Sequence, residues 1–192
     1  MNVSPFGRRQ FAGLALPLFA AACGASPDPN YFTIVPRNGP TFPSGPKIVL
    51  VKDIGLASYL DRREVVRSSE GYKLDILANN WWGEPLGGLL ARILVVELTQ
   101  RLPSSTVYGE SGAITADPNA TVAVNIQRLD ADKAGALILV AQVAIEFNRP
   151  RRLAARNFNL SKPLATADTA GLVAAISDAV GDLADGIAAL LQ

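Results

Sequence analysis

The chain has 192 residues, one cysteine, no histidine, and 18 basic against 17 acidic side chains. Without histidine there is no Ser-His-Asp or Cys-His catalysis and no histidine metal site, and without a basic excess there is no electrostatic footprint for nucleic acid. The lone Cys23 forms no intramolecular disulfide, so its place at the end of an apolar run needs another explanation.

The first segment supplies one. Arg8 and Arg9 precede a twelve-residue apolar run, Phe11 to Ala22, broken only by Gly13 and Pro17. A hydrocarbon core takes about 20 residues to cross, so this run is too short to span it. A charged start, a short apolar stretch and small residues at its end mark an export signal. Ala20, Ala21 and Ala22 lead straight into Cys23 and Gly24. That arrangement resembles a bacterial lipobox, in which diacylglycerol joins the thiol and the chain is cut just before it. Residues 1–22 are therefore expected as a lipoprotein signal peptide and Cys23 as the lipid anchor. "GRRQFAG", residues 7–13, suits a twin-arginine signal or an ordinary signal with two adjacent arginines. Gly24, standing where an aspartate would suggest inner-membrane retention, is similar to lipoproteins sorted to the outer membrane and facing the periplasm. The mature chain keeps 170 residues with 16 basic and 17 acidic groups. That length suits one domain with a full core. No later apolar run reaches the length of a spanning helix, so the lipid is expected as the only membrane anchor.

Residues 24–46 carry six prolines. Proline fixes φ and donates no N–H, so residues 23–46 read as a tether, with a short strand near 31–35 in "YFTIV". The folded domain is expected over 47–192. "KIVLVKD", 47–53, is a strand. "EVVRSS" and "YKLDILA", near 64–69 and 72–78, form a hairpin across Glu70 and Gly71. Residues 85–101 read as a helix with Pro85 in its first turn and an apolar stripe through Leu86, Leu90, Ile93, Leu94 and Leu98; Pro103 stops it. "STVYGE", 105–110, is a short strand, and strands at 120–129, 136–147 and 152–160 form a meander. In the second of these, Leu137, Leu139, Ala141, Val143, Ile145 and Phe147 share one parity, which places one face on a core. The last helix is capped by Thr166 with Asp168 at its positive end, and Leu172, Ile176, Ala179, Leu183, Ile187 and Leu190 form its apolar stripe. Asp178, Asp182 and Asp185 lie opposite, and Asp182→Ala is expected to change stability by less than about 0.5 kcal/mol. The fold class is α/β (α+β), a mixed or antiparallel sheet with two main helices packed on it.

No glycine-rich phosphate loop sits between a strand and a helix, and neither a cofactor nor a metal is expected. Asp130 and Asp132 read as solvated turn carboxylates. Trp81 and Trp82, placed at a helix start, either cap the core or present one ring, Trp81, to a partner or to lipid. "SYLDRR", 58–63, is a turn or a binding edge, with Tyr59, Arg62 and Arg63 as its contact residues. Glu97 falls on the apolar stripe of the first helix, where it pairs with an arginine or marks a contact surface.

The lipobox, "YLDRREVV", "WWGEPL" with its leucine-rich helix, "VNIQRLDADKAGALILVAQVAI" and the alanine-rich last helix follow one another. Together they resemble the auxiliary lipoproteins of ABC-type and MCE-type transport systems, the PqiC family. Trp82, Pro85 and Leu86 match the family's W-x-x-P-L pattern and Tyr59 and Leu60 its Y-L, although Ala57 stands where proline is common. The resemblance implies an α/β sandwich, no enzyme activity, and a periplasm-facing lipoprotein. It also implies an inner-membrane component and an MCE-domain protein as partners in moving lipids, together with ring-like self-assembly. A stand-alone periplasmic binding or scaffold lipoprotein is the alternative. A large apolar cavity would favour that alternative; a filled core with an exposed aromatic edge would favour the auxiliary role.

Overall fold

The computed structural model describes residues 28–192; the expected signal peptide and Cys23 lie outside the described residues. In chain order the elements are β1 (Asn30–Phe32), β2 (Ile48–Val51), β3 (Gly55–Leu56), β4 (Glu64–Ser68), β5 (Asp75–Trp82), α1 (Leu86–Arg101), β6 (Thr106–Gly109), β7 (Ala120–Ala131), β8 (Ala136–Asn148), β9 (Arg151–Pro163) and α2 (Thr169–Leu190). They form one α+β domain with a six-stranded mixed sheet, ordered β6-β2-β7-β8-β9 with β3 also on β7, and a three-stranded sheet, β1-β5-β4.

Side-chain alternation builds the large sheet. All six apolar residues of the β8 stripe are buried, and β7 and β9 flank them in antiparallel register. In β7 the alternation breaks usefully. Ala120, Val122, Val124 and Ile126 face inward, and strict alternation would next turn Arg128 and Asp130 into the core. A bulge between Ile126 and Arg128 inserts Gln127, so Leu129 and Ala131 become the buried pair and Arg128 and Asp130 pass to the other face.

Both helices pack on the inner face. α1 begins after Pro85, whose φ of −52° suits a helix entry, and buries Leu86, Leu89, Leu90, Ile93, Leu94 and Leu98. The cap of α2 is Asp168, not Thr166. The Asp168 carboxylate accepts from Gly171 N at 2.8 Å and is held by the Thr166 hydroxyl at 2.6 Å. Those two hydrogen bonds pull the Asp168 carboxyl below its usual range, the Thr166 bond most. The tryptophan pair lies at the end of β5 instead of the start of a helix, because parallel pairing with β1 extends that strand.

The described part of the proline-rich segment lies along both helices. Ile34 is buried, Val35 N donates to Ser177 Oγ, and Phe42 N donates to Arg101 O. Between these anchors sits a buried ionic cluster. Arg101, with no exposed surface, gives Nε to Asp185 at 2.6 Å, Nη1 to the carbonyls of Arg37 and Glu97 at 3.1 Å, and Nη2 to the Gly181 carbonyl at 3.2 Å. Glu97, the charge on the apolar stripe, accepts Arg37 N at 2.9 Å and faces Arg101 at 3.6 Å. Burial pushes its carboxyl above the usual range, outweighing the Arg37 backbone N–H and the two guanidinium charges. Arg37 reaches Asp182 at 2.6 Å, and Lys162 reaches Asp182 at 2.5 Å. The acidic side of α2 is therefore not simply solvated: Asp182 and Asp185 bind the strap, and Asp178 alone of the three stays exposed. Gly181 permits this, because a Cβ there would overlap the Arg37 guanidinium.

Two stability tests follow from this packing. Leu183→Asp places an unpaired charge in the core and should unfold the domain, whereas Asp178→Ala should stay within about 0.5 kcal/mol of wild type in urea denaturation. Arg101→Met removes the guanidinium facing buried Glu97 and leaves Asp185 with Arg37 alone, and should cost about 3–5 kcal/mol. Adding Glu97→Met to it should recover part of that loss.

Candidate docking site

The turn between β3 and β4 carries three of the five residues expected to meet a partner. Leu60 N bonds Ala57 O at 2.8 Å and Arg62 N bonds Leu60 O at 2.9 Å, so the backbone closes tightly over the buried Leu60 side chain. Tyr59 points inward from this turn. Its hydroxyl donates to Asp130 Oδ2 at 2.7 Å, and Arg128 Nε donates to the other oxygen at 2.9 Å. Arg128 also pairs with Glu70 at 3.1 Å, and Glu70 accepts Lys133 N at 3.1 Å. Burial, then the hydrogen bond and charge of Asp130, push the Tyr59 hydroxyl up to about 12. Asp130 is thus a fully buried strand residue and not a solvated turn carboxylate; the β7 bulge turns it beneath Tyr59. Asp132 does occupy the turn, where Oδ1 accepts Ala134 N and Ala136 N at 2.9 Å.

Arg62 folds back to donate to the Tyr59 carbonyl at 2.8 Å. Arg63 projects outward, with its guanidinium carbon 4.1 Å from the centre of the Trp81 ring. The strand pleat separates the two tryptophans. Trp82 is 6% exposed and belongs to the core, while Trp81 lies on the outer face. Trp81 Nε1 donates to Ala78 O at 2.8 Å within the irregular register of β4 and β5. Its edge meets Tyr31, 5.9 Å between ring centres at 84°. Tyr31 pairs with Trp81 across β1 and β5 and is 66% exposed. Sequence reasoning missed Tyr31 as a site residue; its aromatic place in "YFTIV" beside a lone strand was the available signal.

The five expected residues therefore divide. Tyr59 and Trp82 hold the structure together, Arg62 braces the turn, and Arg63 and Trp81 form a surface corner with Tyr31. Beyond this corner an open groove of about 440 Å³ runs between residues 32–37 and the first half of α2, lined by Phe32, Val35, Val173 and Ala174. Between the sheet and the helices the core is filled, with Leu89, Leu98, Leu137, Leu139 and Ile187 fully buried. Among the described residues no group of three or more carboxylates is placed to hold a metal, and no helix is long and apolar enough to cross a membrane.

These features define a single α+β domain whose distinctive chemistry lies on its surface. The chain belongs to the family described as the ABC-type transport auxiliary lipoprotein component, whose model matches residues 32–188. Among solved structures, the chain is similar to an uncharacterized protein at TM-score 0.74 and 20% identity, covering 86% of this chain and 100% of that one. It is also similar to a Xanthomonas campestris protein of the DUF330 family at TM-score 0.68 and 18% identity, covering 83% and 92%. A PelC dodecamer from Paraburkholderia phytofirmans aligns at TM-score 0.46 and 10% identity, covering 83% and 98%. No curated protein sequence matches.

Tyr59→Phe leaves the buried Asp130 carboxylate with Arg128 alone and should cost about 1–3 kcal/mol in urea denaturation near neutrality. The hydroxyl's folded-state value is raised from 10.0 to about 12. Its contribution is therefore complete below the first value and is lost as pH rises through the second. The gap between wild type and Tyr59→Phe should close across that alkaline window.

Proposed function

We propose that this chain is a non-enzymatic lipoprotein, acylated at Cys23 and held at the outer membrane facing the periplasm, that assists an ABC/MCE-type system in moving lipids through the cell envelope. Its partners in this reading are an MCE-domain protein and an inner-membrane transport component, with ring-like self-assembly of the lipoprotein itself. The family match over residues 32–188 carries the transport role. The filled core supports an auxiliary rather than a cargo-enclosing part, because the apolar groove is open along its length and the exposed aromatic corner faces outward. The absence of histidine from the whole chain supports the non-enzymatic reading. A stand-alone binding or scaffold lipoprotein is the competing account.

Pull-down of the lipoprotein from crosslinked envelopes should recover an MCE-domain protein, and deletion should weaken the outer-membrane barrier. Absence of that protein from the pull-down, in a strain that encodes one, would count against the transport role and favour the stand-alone account.

A further inference from the structure

We propose that the corner built from Tyr31, Trp81 and Arg63, extended by Val35, seats against the phospholipid head-group region of the membrane that holds the lipid anchor. The proposal rests on the reading that Cys23 is acylated, and it adds which face of the domain the membrane meets and by what chemistry.

Chain length makes the first argument. A fully extended chain advances about 3.3–3.6 Å per residue, so the five steps from Cys23 reach Asp28 within about 18 Å. An acylated Cys23 sits at the bilayer surface. The domain must therefore stand on the face where β1 enters, because a longer route around the domain exceeds the tether. That face carries the exposed Tyr31, and the exposed Val35 follows three residues after β1 ends at Phe32.

Side-chain chemistry makes the second. Tryptophan and tyrosine concentrate where water meets hydrocarbon, since each has an apolar body and a polar end. Tyr31 and Trp81 stand edge to face at this corner. The indole N–H already donates to Ala78 O at 2.8 Å, so moving the ring into a less polar layer strands no donor. Arg63 lies over the Trp81 ring and places a guanidinium where a lipid phosphate can accept from it. Glu64, which Arg63 meets at 3.2 Å, and the exposed Asp61 in the adjoining turn are the acids beside it.

The depth is also defined. β1 is an edge of the three-stranded sheet, and its unpaired backbone groups need water. The head-group layer supplies that water and the hydrocarbon interior does not. So small a patch binds weakly by itself. The short tether makes its binding intramolecular and raises the effective lipid concentration at the corner.

The two tryptophans of the chain make the test direct. The acylated full-length lipoprotein is reconstituted in phosphatidylethanolamine and phosphatidylglycerol vesicles brominated on the acyl carbons nearest the head group. Mass spectrometry first verifies the lipid on Cys23. Wild-type fluorescence should be quenched, and quenching should vanish in Trp81→Phe, whose remaining Trp82 lies in the core. Tyr31→Ser with Arg63→Glu should reduce the quenching of a protein that still melts as wild type does. Equal quenching in wild type and Trp81→Phe, or none in an acylated wild type, overturns the proposal. Unquenched wild type together with loss of the MCE-domain protein from pull-downs of Trp81→Ala would reassign the corner to a protein partner. A Cys23 without lipid removes the anchor reading, and this proposal falls with it.

Discussion

Arg101 is a cation without solvent, and the arrangement of this domain can be read as the set of acceptors it requires. An arginine at the end of a buried helix face needs its donors matched, because an isolated charge in a protein interior is far more expensive than the helix that carries it. Its partners come from three stretches of chain: Asp185 and the Gly181 carbonyl on α2, Glu97 on its own helix, and the Arg37 carbonyl on the strap. Only when all three are present is the guanidinium satisfied. The cluster therefore ties the two helices to each other and to the strap. The glycine at position 181 belongs to the same constraint, since it leaves room for Arg37 to lie flat on α2.

A second buried cluster does the same work on the opposite face of the sheet. Asp130 receives Tyr59 from the turn after β3 and Arg128 from its own strand, and Arg128 continues to Glu70 in the β4–β5 connection. The small sheet is thereby tied to the large one by charge and hydrogen bonds in addition to the shared core that Val65, Val66, Leu77 and Trp82 join. This rigid support fixes the corner where Trp81, Tyr31 and Arg63 meet. A surface site carried on strands and braced from below keeps its geometry better than one carried on a free loop.

For a transport auxiliary component, such a division is physically sensible. Among the described residues, the inner face covered by α1 and α2 is taken up by the packed core. The strap and the groove lie along the helices, while Trp81, Tyr31 and Arg63 meet where β1 pairs with β5.

Much of this fold was legible before any coordinates. The meander and the two helices follow from periods of 2 and 3.6, because a side chain's direction within an element depends only on its near neighbours. The expected export signal and Cys23 are linear patterns that lie outside the described residues. The sequence places Trp81 and Trp82 at a helix start, whereas β5 extends to them through pairing with β1, some fifty residues earlier in the chain. Asp130 reads as a turn residue from its place beside Asp132 and Lys133; the shift of the apolar residues from even positions through Ile126 to Leu129 and Ala131 was the available sign of the β7 bulge that buries it. Glu97 was recognised as out of place on its stripe, but its neighbours, the Arg37 backbone and Asp185, arrive from distant segments. Local periodicity thus sufficed for the elements and their buried faces. The bulge, the partners of buried charges and the exposure of one tryptophan over its neighbour emerged only from the folded chain, because each depends on contacts between residues far apart in sequence.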